Sequence, residues 1–228
     1  MYNLRSLRSD PGTYSSVDRW HSDASYELQP PSTTSLKMIA CPETGSDTLW
    51  SSGYALYSSL SPGLQTYLEG LSAVHTATTQ TSGARAAGTP VRRESIETVQ
   101  PVVRVHPATG WKSVFVSPGG CSLAPTCSPH FIYQHTRLFF LSHIHAFIPH
   151  GEPGSTRHIV GIPKAESDTI LGFLYAQICQ NHDFQVRFKW ELNDVAIWDN
   201  RVGFVPRPQY ISYYNPSPRE YAYIPYRS

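Results

Sequence analysis

At 228 residues, with eighteen basic against seventeen acidic side chains and a formal charge of +1, the chain has the length of one domain with a real core. A balance so close to neutral gives no bulk attraction for nucleic acid or for an anionic membrane surface. A 40% hydrophobic content suits a globular protein, while nineteen prolines and a mean hydropathy of -0.32 predict many turns, little helix and a mainly β domain.

The four cysteines, Cys41, Cys121, Cys127 and Cys179, are scattered, and no hydrophobic signal segment follows Met1, so a reducing, cytoplasmic setting is expected. The most apolar stretch, residues 131–148, is broken by Gln134, His135, Arg137, His143 and His145, and no membrane anchor is predicted.

Residues 1–19 are polar around an Asp10-Pro11-Gly12 turn signal and read as a surface lead-in. Over residues 20–40 short extended runs flank Pro30-Pro31, and Leu36, Met38 and Ala40 share one strand face. Helical spacing then takes over, first at Tyr54, Tyr57 and Leu60, then after Ser61-Pro62 at Leu64, Tyr67, Leu68 and Leu71. Residues 76–90 are small and polar, as in an exposed loop. Residues 99–106 and 113–116 predict a hairpin around a four-residue turn. Ile170, Leu171, Leu174 and Ile178 lie on one helical face within 163–181, and residues 185–190 and 194–198 predict a second hairpin.

In Trp20-His21-Ser22-Asp23, residues i and i+2 of a strand point to one side, so an imidazole and a carboxylate can grip one metal ion. Two histidines and a carboxylate on one face of a metal leave adjacent coordination positions open, the arrangement of non-haem iron(II) oxygenases. His75, His106 and His182 fall at predicted element ends, where a solvated or backbone-bonded ring is expected, and none is assigned a role. The 199–201 segment, Asp-Asn-Arg, reads as a turn whose Asp and Asn bond backbone and whose Arg forms a structural ion pair.

The His21-x-Asp23 strand is followed in order by Thr44-Gly45-Ser46-Asp47-Thr48-Leu49-Trp50, by His106-Pro107-Ala108-Thr109-Gly110-Trp111 and by Asn193-Asp194-Val195-Ala196-Ile197-Trp198-Asp199-Asn200-Arg201. This order resembles the TauD/TfdA family of iron(II)- and 2-oxoglutarate-dependent dioxygenases, especially its fungal sulfonate dioxygenases. The resemblance implies a double-stranded β-helix, a jelly-roll barrel with flanking helices, and makes His21 and Asp23 ligands to Fe(II). It implies that Thr48 hydrogen-bonds a carboxylate of the co-substrate 2-oxoglutarate and that Trp50 lines the substrate pocket. The implied reaction consumes dioxygen, yields succinate and carbon dioxide, and hydroxylates a small organic substrate such as a taurine-like sulfonate.

The family-like regions are residues 14–118 and 156–202 of a single domain spanning 1–228. An atypical insert occupies about 119–155 and an atypical tail 203–228. After Arg201 the family's second histidine ligand and its later 2-oxoglutarate-binding arginine have no recognisable counterpart, and the barrel is expected to be incomplete. The insert carries His130, His135, His143, His145 and His150 with Cys121 and Cys127, but Cys-x5-Cys with irregular histidines is not a zinc signature. Untranslated sequence read as protein, together with a late start and a wrong terminal exon, is the expectation for these departures. The alternative to an active dioxygenase is a barrel remnant without turnover.

Overall fold

Short runs of alternating buried and exposed residues, punctuated by proline, build this chain from strands. Residues 20–38, 41, 47–78, 81–82, 85, 90–91, 94–118, 156–206 and 221–226 are described by a computed structural model.

Strands β1 (Trp20–His21), β3 (Thr48–Ser52), β9 (Gln185–Phe188) and β11 (Gly203–Pro206) form one antiparallel sheet in the order β1-β11-β3-β9. A second sheet places β2 (Thr33–Met38) between β10 (Val195–Asp199) and β12 (Tyr221–Tyr226). In a third, β4 (Ser72–Thr76) lies between β5 (Glu97–Pro101) and β8 (Thr156–Ile159), while β6 (Val103–Val105) and β7 (Lys112–Val114) pair as a hairpin.

Helices α1 (Gly53–Ser59), α2 (Pro62–Glu69) and α3 (Lys164–Gln180) cover one side of this framework. Ser52 caps α1 by accepting from the Ala55 N–H at 3.2 Å, and Pro62 opens α2, where a missing N–H costs nothing. Gly53 lets α1 approach β7: a Cβ there would lie 2.4 Å from Ser113 Oγ and 2.8 Å from the Val114 carbonyl. The core joins Trp20 and Phe204 of the first sheet to Leu56, Leu68, Leu171, Leu174, Tyr175 and Ile178 of the helices. Among the described residues no helix is long and apolar enough to cross a membrane.

The mainly β class with few helices agrees with the sequence reading, as do α3 and the β6–β7 hairpin, whose turn places Gly110 at φ +73°. Several expectations are corrected. Residues 185–198 do not form a hairpin: β9 pairs with β3 and β10 with β2, so consecutive strands enter different sheets across a turn with Asn193 at φ +71°. In α1 the fully buried side chain is Leu56 rather than Tyr54 or Tyr57, and Tyr67 of α2 is exposed, donating to Glu166. A tyrosine can satisfy helical spacing while its hydroxyl keeps it at the rim. Residues 72–76 form a strand in which Thr76 is buried instead of opening the exposed loop expected from it, and most of 78–90 lies outside the described residues.

Ala40 and the histidines and cysteines of the insert also lie outside the described residues. Within the tail, β11 is an inner strand of the first sheet and β12 pairs along the whole of β2.

Candidate functional site

The buried face of the first sheet orients its other face. Trp20, Phe204 and Ser51 are buried, the first two in the helical core, so alternation turns His21, Thr48 and Trp50 to the opposite side. Val205 pairs with His21, one residue beyond the Phe204–Ser51 pair, which sets His21 level with Trp50 across β11. Two strand spacings separate them, about 10 Å.

His21 closes β1, and Asp23 opens the following turn instead of continuing the strand, yet their side chains still meet, with His21 Nε2 3.3 Å from Asp23 Oδ1. Two cis ligands with bonds of about 2.1 Å would stand ~3 Å apart, so the pair has the spacing of a metal-binding half-site. Asp23 Oδ2 accepts from Thr34 Oγ1 at 3.1 Å, which turns the other oxygen toward the imidazole. Among the described residues no third histidine, cysteine or carboxylate joins them in a cluster.

Asn200 clamps this segment from the far end of the chain. Its Oδ1 accepts from the Asp23 N–H at 2.8 Å, and its Nδ2 donates to the Asp23 and Pro31 carbonyls at 2.9 and 3.1 Å. Ser22 Oγ donates to the Asn200 carbonyl at 2.8 Å. The turn reading of residues 199–201 holds in detail, and it hid a function: the backbone that Asn200 bonds is that of the Asp23 turn.

Beside it, Asp199 accepts from Arg201 Nε at 2.8 Å and Nη2 at 2.5 Å. His106 Nδ1 accepts two backbone N–H bonds, from Ala108 and Thr109, so the ring proton sits on Nε2 and is donated to Asp199 Oδ2 at 2.8 Å. Burial would push the Asp199 carboxyl up, but bonds from the Arg201 side chain and backbone and from His106, with the Arg201 charge, outweigh it and hold the group down at about 2. His106 thus keeps the structural role expected of it, with a carboxylate as second partner. His182 is exposed, and its Nδ1 lies 3.2 Å from Gln185 Oε1. His75 departs from expectation, lying fully buried within β4.

Thr48 is buried, and its Oγ1 accepts from Trp190 Nε1 at 2.8 Å. An indole can only donate, so this bond fixes the threonine oxygen and leaves its own proton to be given elsewhere. Trp50 packs against Trp198 and Trp190, with ring centroids 5.5 and 6.3 Å away. It lines an open groove of about 550 Å³ with Val186, Phe188, Ile197, Trp198 and Asp199, a size in the range of small-molecule sites. Buried next to it, Trp50 Nε1 and Trp198 Nε1 find no hydrogen-bond acceptor among the described residues. The structure therefore joins His21 to Asp23 and Trp50 to the groove, and puts Thr48 on the same sheet face without making it part of the groove wall. The Trp198 and Trp190 contributions were missed in the sequence, although Trp198 lies within the 193–201 motif.

Residues 3–202 match the taurine catabolism dioxygenase TauD, TfdA family. A Schizosaccharomyces pombe protein provisionally named an alpha-ketoglutarate-dependent sulfonate dioxygenase is 41% identical over 82% of this chain and 39% of its own length. The Saccharomyces cerevisiae alpha-ketoglutarate-dependent sulfonate dioxygenase is 33% identical over 80% of this chain and 36% of its own. The chain thus spans about two fifths of the length of these relatives. The crystal structure of a taurine dioxygenase from Burkholderia xenovorans superposes with a TM-score of 0.61 at 27% identity, covering 87% of this chain and 54% of that one. With the paired His21 and Asp23, the aromatic groove and a family match that runs through Arg201, this chain belongs to the TauD/TfdA dioxygenase family.

Proposed function

We propose that this chain carries the metal half-site and co-substrate wall of an Fe(II)- and 2-oxoglutarate-dependent dioxygenase acting on a small organic acid, with a sulfonate as the favoured substrate class. The observation that carries the reading is the 3.3 Å approach of His21 Nε2 to Asp23 Oδ1 on the side of the sheet away from the helices. An imidazole and a carboxylate suit a divalent iron ion, and Thr34 and Asn200 hold the carboxylate and its backbone in the required orientation. When bound, the iron would supply the redox chemistry that couples oxidative decarboxylation of 2-oxoglutarate to hydroxylation by dioxygen.

The chain's own residues bind and orient. Thr48, its oxygen pinned by Trp190, would donate its hydroxyl proton to a carboxylate of 2-oxoglutarate. The orphaned indole donors of Trp50 and Trp198 suit an acceptor-rich acid beside them in the groove. The barrel inferred for these sheets is the jelly roll, supported by the likeness to the taurine dioxygenase structure. The sulfonate preference rests on the names of the two yeast relatives.

Purified protein supplied with Fe(II), 2-oxoglutarate and a panel of alkyl sulfonates and carboxylates tests the reading through succinate release. Turnover that disappears in His21→Ala and Asp23→Ala supports it. Turnover unchanged in both variants would refute the metal assignment.

A further inference from the structure

Asp23 is followed by Ala24 at φ +48°, a left-handed conformation that is costly for a non-glycine residue and persists only where neighbours enforce it. The turn closes through the Glu27 N–H to the Ala24 carbonyl at 2.9 Å. On its N-terminal side Ser22 is fixed to Asn200 and, through its N–H, to Ser117 Oγ at 3.3 Å. Farther along, β5 holds the backbone of Tyr26 and Glu27 through Thr98 and Gln100. Between these anchors Ser25 is fully buried, and its hydroxyl lies 3.1 Å from His75 Nδ1.

His75 is built to be immobile. Its ring stacks on Phe115 with centroids 5.5 Å apart and 17° between planes, and the Arg104 guanidinium covers that phenylalanine at 4.6 Å. Thr156 Oγ1 stands 3.3 Å from both ring nitrogens and also accepts the Ser117 N–H at 2.8 Å. Ser22, Ser117, Thr156, His75 and Ser25 thus form one buried polar chain that grips both flanks of the Asp23–Ala24 step. We propose that His75 is a positioning residue for the metal half-site, holding Ser25 and with it the left-handed Ala24 backbone that aims the Asp23 carboxylate at His21. This rests on the metal reading of His21 and Asp23.

The experiment compares His75→Leu, which keeps the volume and loses the polar contact, with His75→Asn, which offers a polar group near the Nδ1 position. Anaerobic Fe(II) and Co(II) titrations followed by tryptophan fluorescence give metal affinity, and amide hydrogen exchange at residues 22–25 gives the order of the turn. His75→Leu is expected to weaken metal binding by about 10- to 100-fold, the size of a lost outer-shell partner, and to raise exchange at Asp23 by about tenfold, with most of both effects restored in His75→Asn. If His75→Leu does not fold, Ser25→Ala removes the same bond and is expected to give the same two changes.

Parent-like affinity and exchange in a folded His75→Leu, or an Asn variant no better than Leu, would overturn the assignment. Should the parent bind neither metal, the half-site reading fails. The positioning role is then decided by exchange alone: faster exchange at Asp23 in His75→Leu upholds it, and unchanged exchange overturns it.

Discussion

Replacing Asn200 by alanine tests whether the clamp holds the Asp23 turn in place. The substitution removes the acceptor of the Asp23 N–H at 2.8 Å and the donor to two carbonyls at 2.9 and 3.1 Å, in a side chain that is 1% exposed. Three bonds at a net ~1 kcal/mol each, with one or two groups left unsatisfied, place the loss at about 3–5 kcal/mol. For a domain with a urea m-value of ~2 kcal/mol/M, the unfolding midpoint falls by roughly 2 M. Urea denaturation read by tryptophan fluorescence measures this, and an Fe(II) titration of the folded variant should show weakened binding. Asn200→Asp is expected to be at least as damaging at neutral pH, because a carboxylate oxygen would then face the Asp23 and Pro31 carbonyls. A midpoint shift below about 0.5 M in Asn200→Ala would mean that the clamp is not what orders the turn.

Burial, reinforced by the Arg104 charge, pushes the pKa of His75 down to about 3, so the folded ring is neutral while the unfolded ring takes up a proton below its ordinary value of 6.5. The His75 contribution is complete above that value and erodes as pH falls from 6.5 toward 3; denaturation midpoints across this window should drop less steeply in a folded His75→Asn. Asp199, held down at about 2, contributes stability above its unfolded value that is lost as pH falls through the native one, so Asp199→Asn should flatten stability between pH ~4 and ~2. Ser117 and Thr156 bond each other directly, the Thr156 N–H reaching the Ser117 carbonyl at 3.2 Å. Replacing residues 119–155 with a short Gly-Ser linker should therefore preserve the fold and raise unfolding free energy by up to ~2 kcal/mol from the smaller loop-closure entropy. Collapse of near-UV circular dichroism in that variant would show that the fold needs the segment. Thr48→Val should raise the 2-oxoglutarate concentration for half-maximal succinate release by about tenfold, since it removes one hydrogen bond to a charged group. An unchanged value would remove Thr48 from the co-substrate site.

The site was legible in the sequence where chemistry and spacing coincide. His21 and Asp23 stand two apart, and although Asp23 begins a turn instead of continuing the strand, their side chains meet. Trp50 was legible through its motif, and the structure gives it a groove wall and aromatic neighbours. What sequence could not disclose were partners at long separation. Asn200 belonged to a turn by every local rule, and only folding shows that the backbone it bonds lies 177 residues away. His75 sits in the middle strand of its sheet, Ser-Ala-Val-His-Thr, and its burial comes from Phe115 stacked on its ring and from polar partners distant in sequence. The false hairpin at 185–198 has the same origin: strand spacing predicts two extended runs, while the choice between neighbours is made by the sheets that receive them.

The Asn200 clamp also dictates when the turn after His21 can be fixed. A chain leaving the ribosome presents His21 and Asp23 early, but the groups that fix them, at Ser117, Thr156 and Asn200, follow over the next 177 residues. At a synthesis rate of roughly 5–20 residues per second, the turn waits on the order of ten seconds or more for Asn200, and β11, the strand that pairs with His21, comes later still. Throughout that interval its imidazole and carboxylate are only two mobile side chains of a nascent chain. The His21–Asp23 pair is in this way fixed only after most of the surrounding strands have been made.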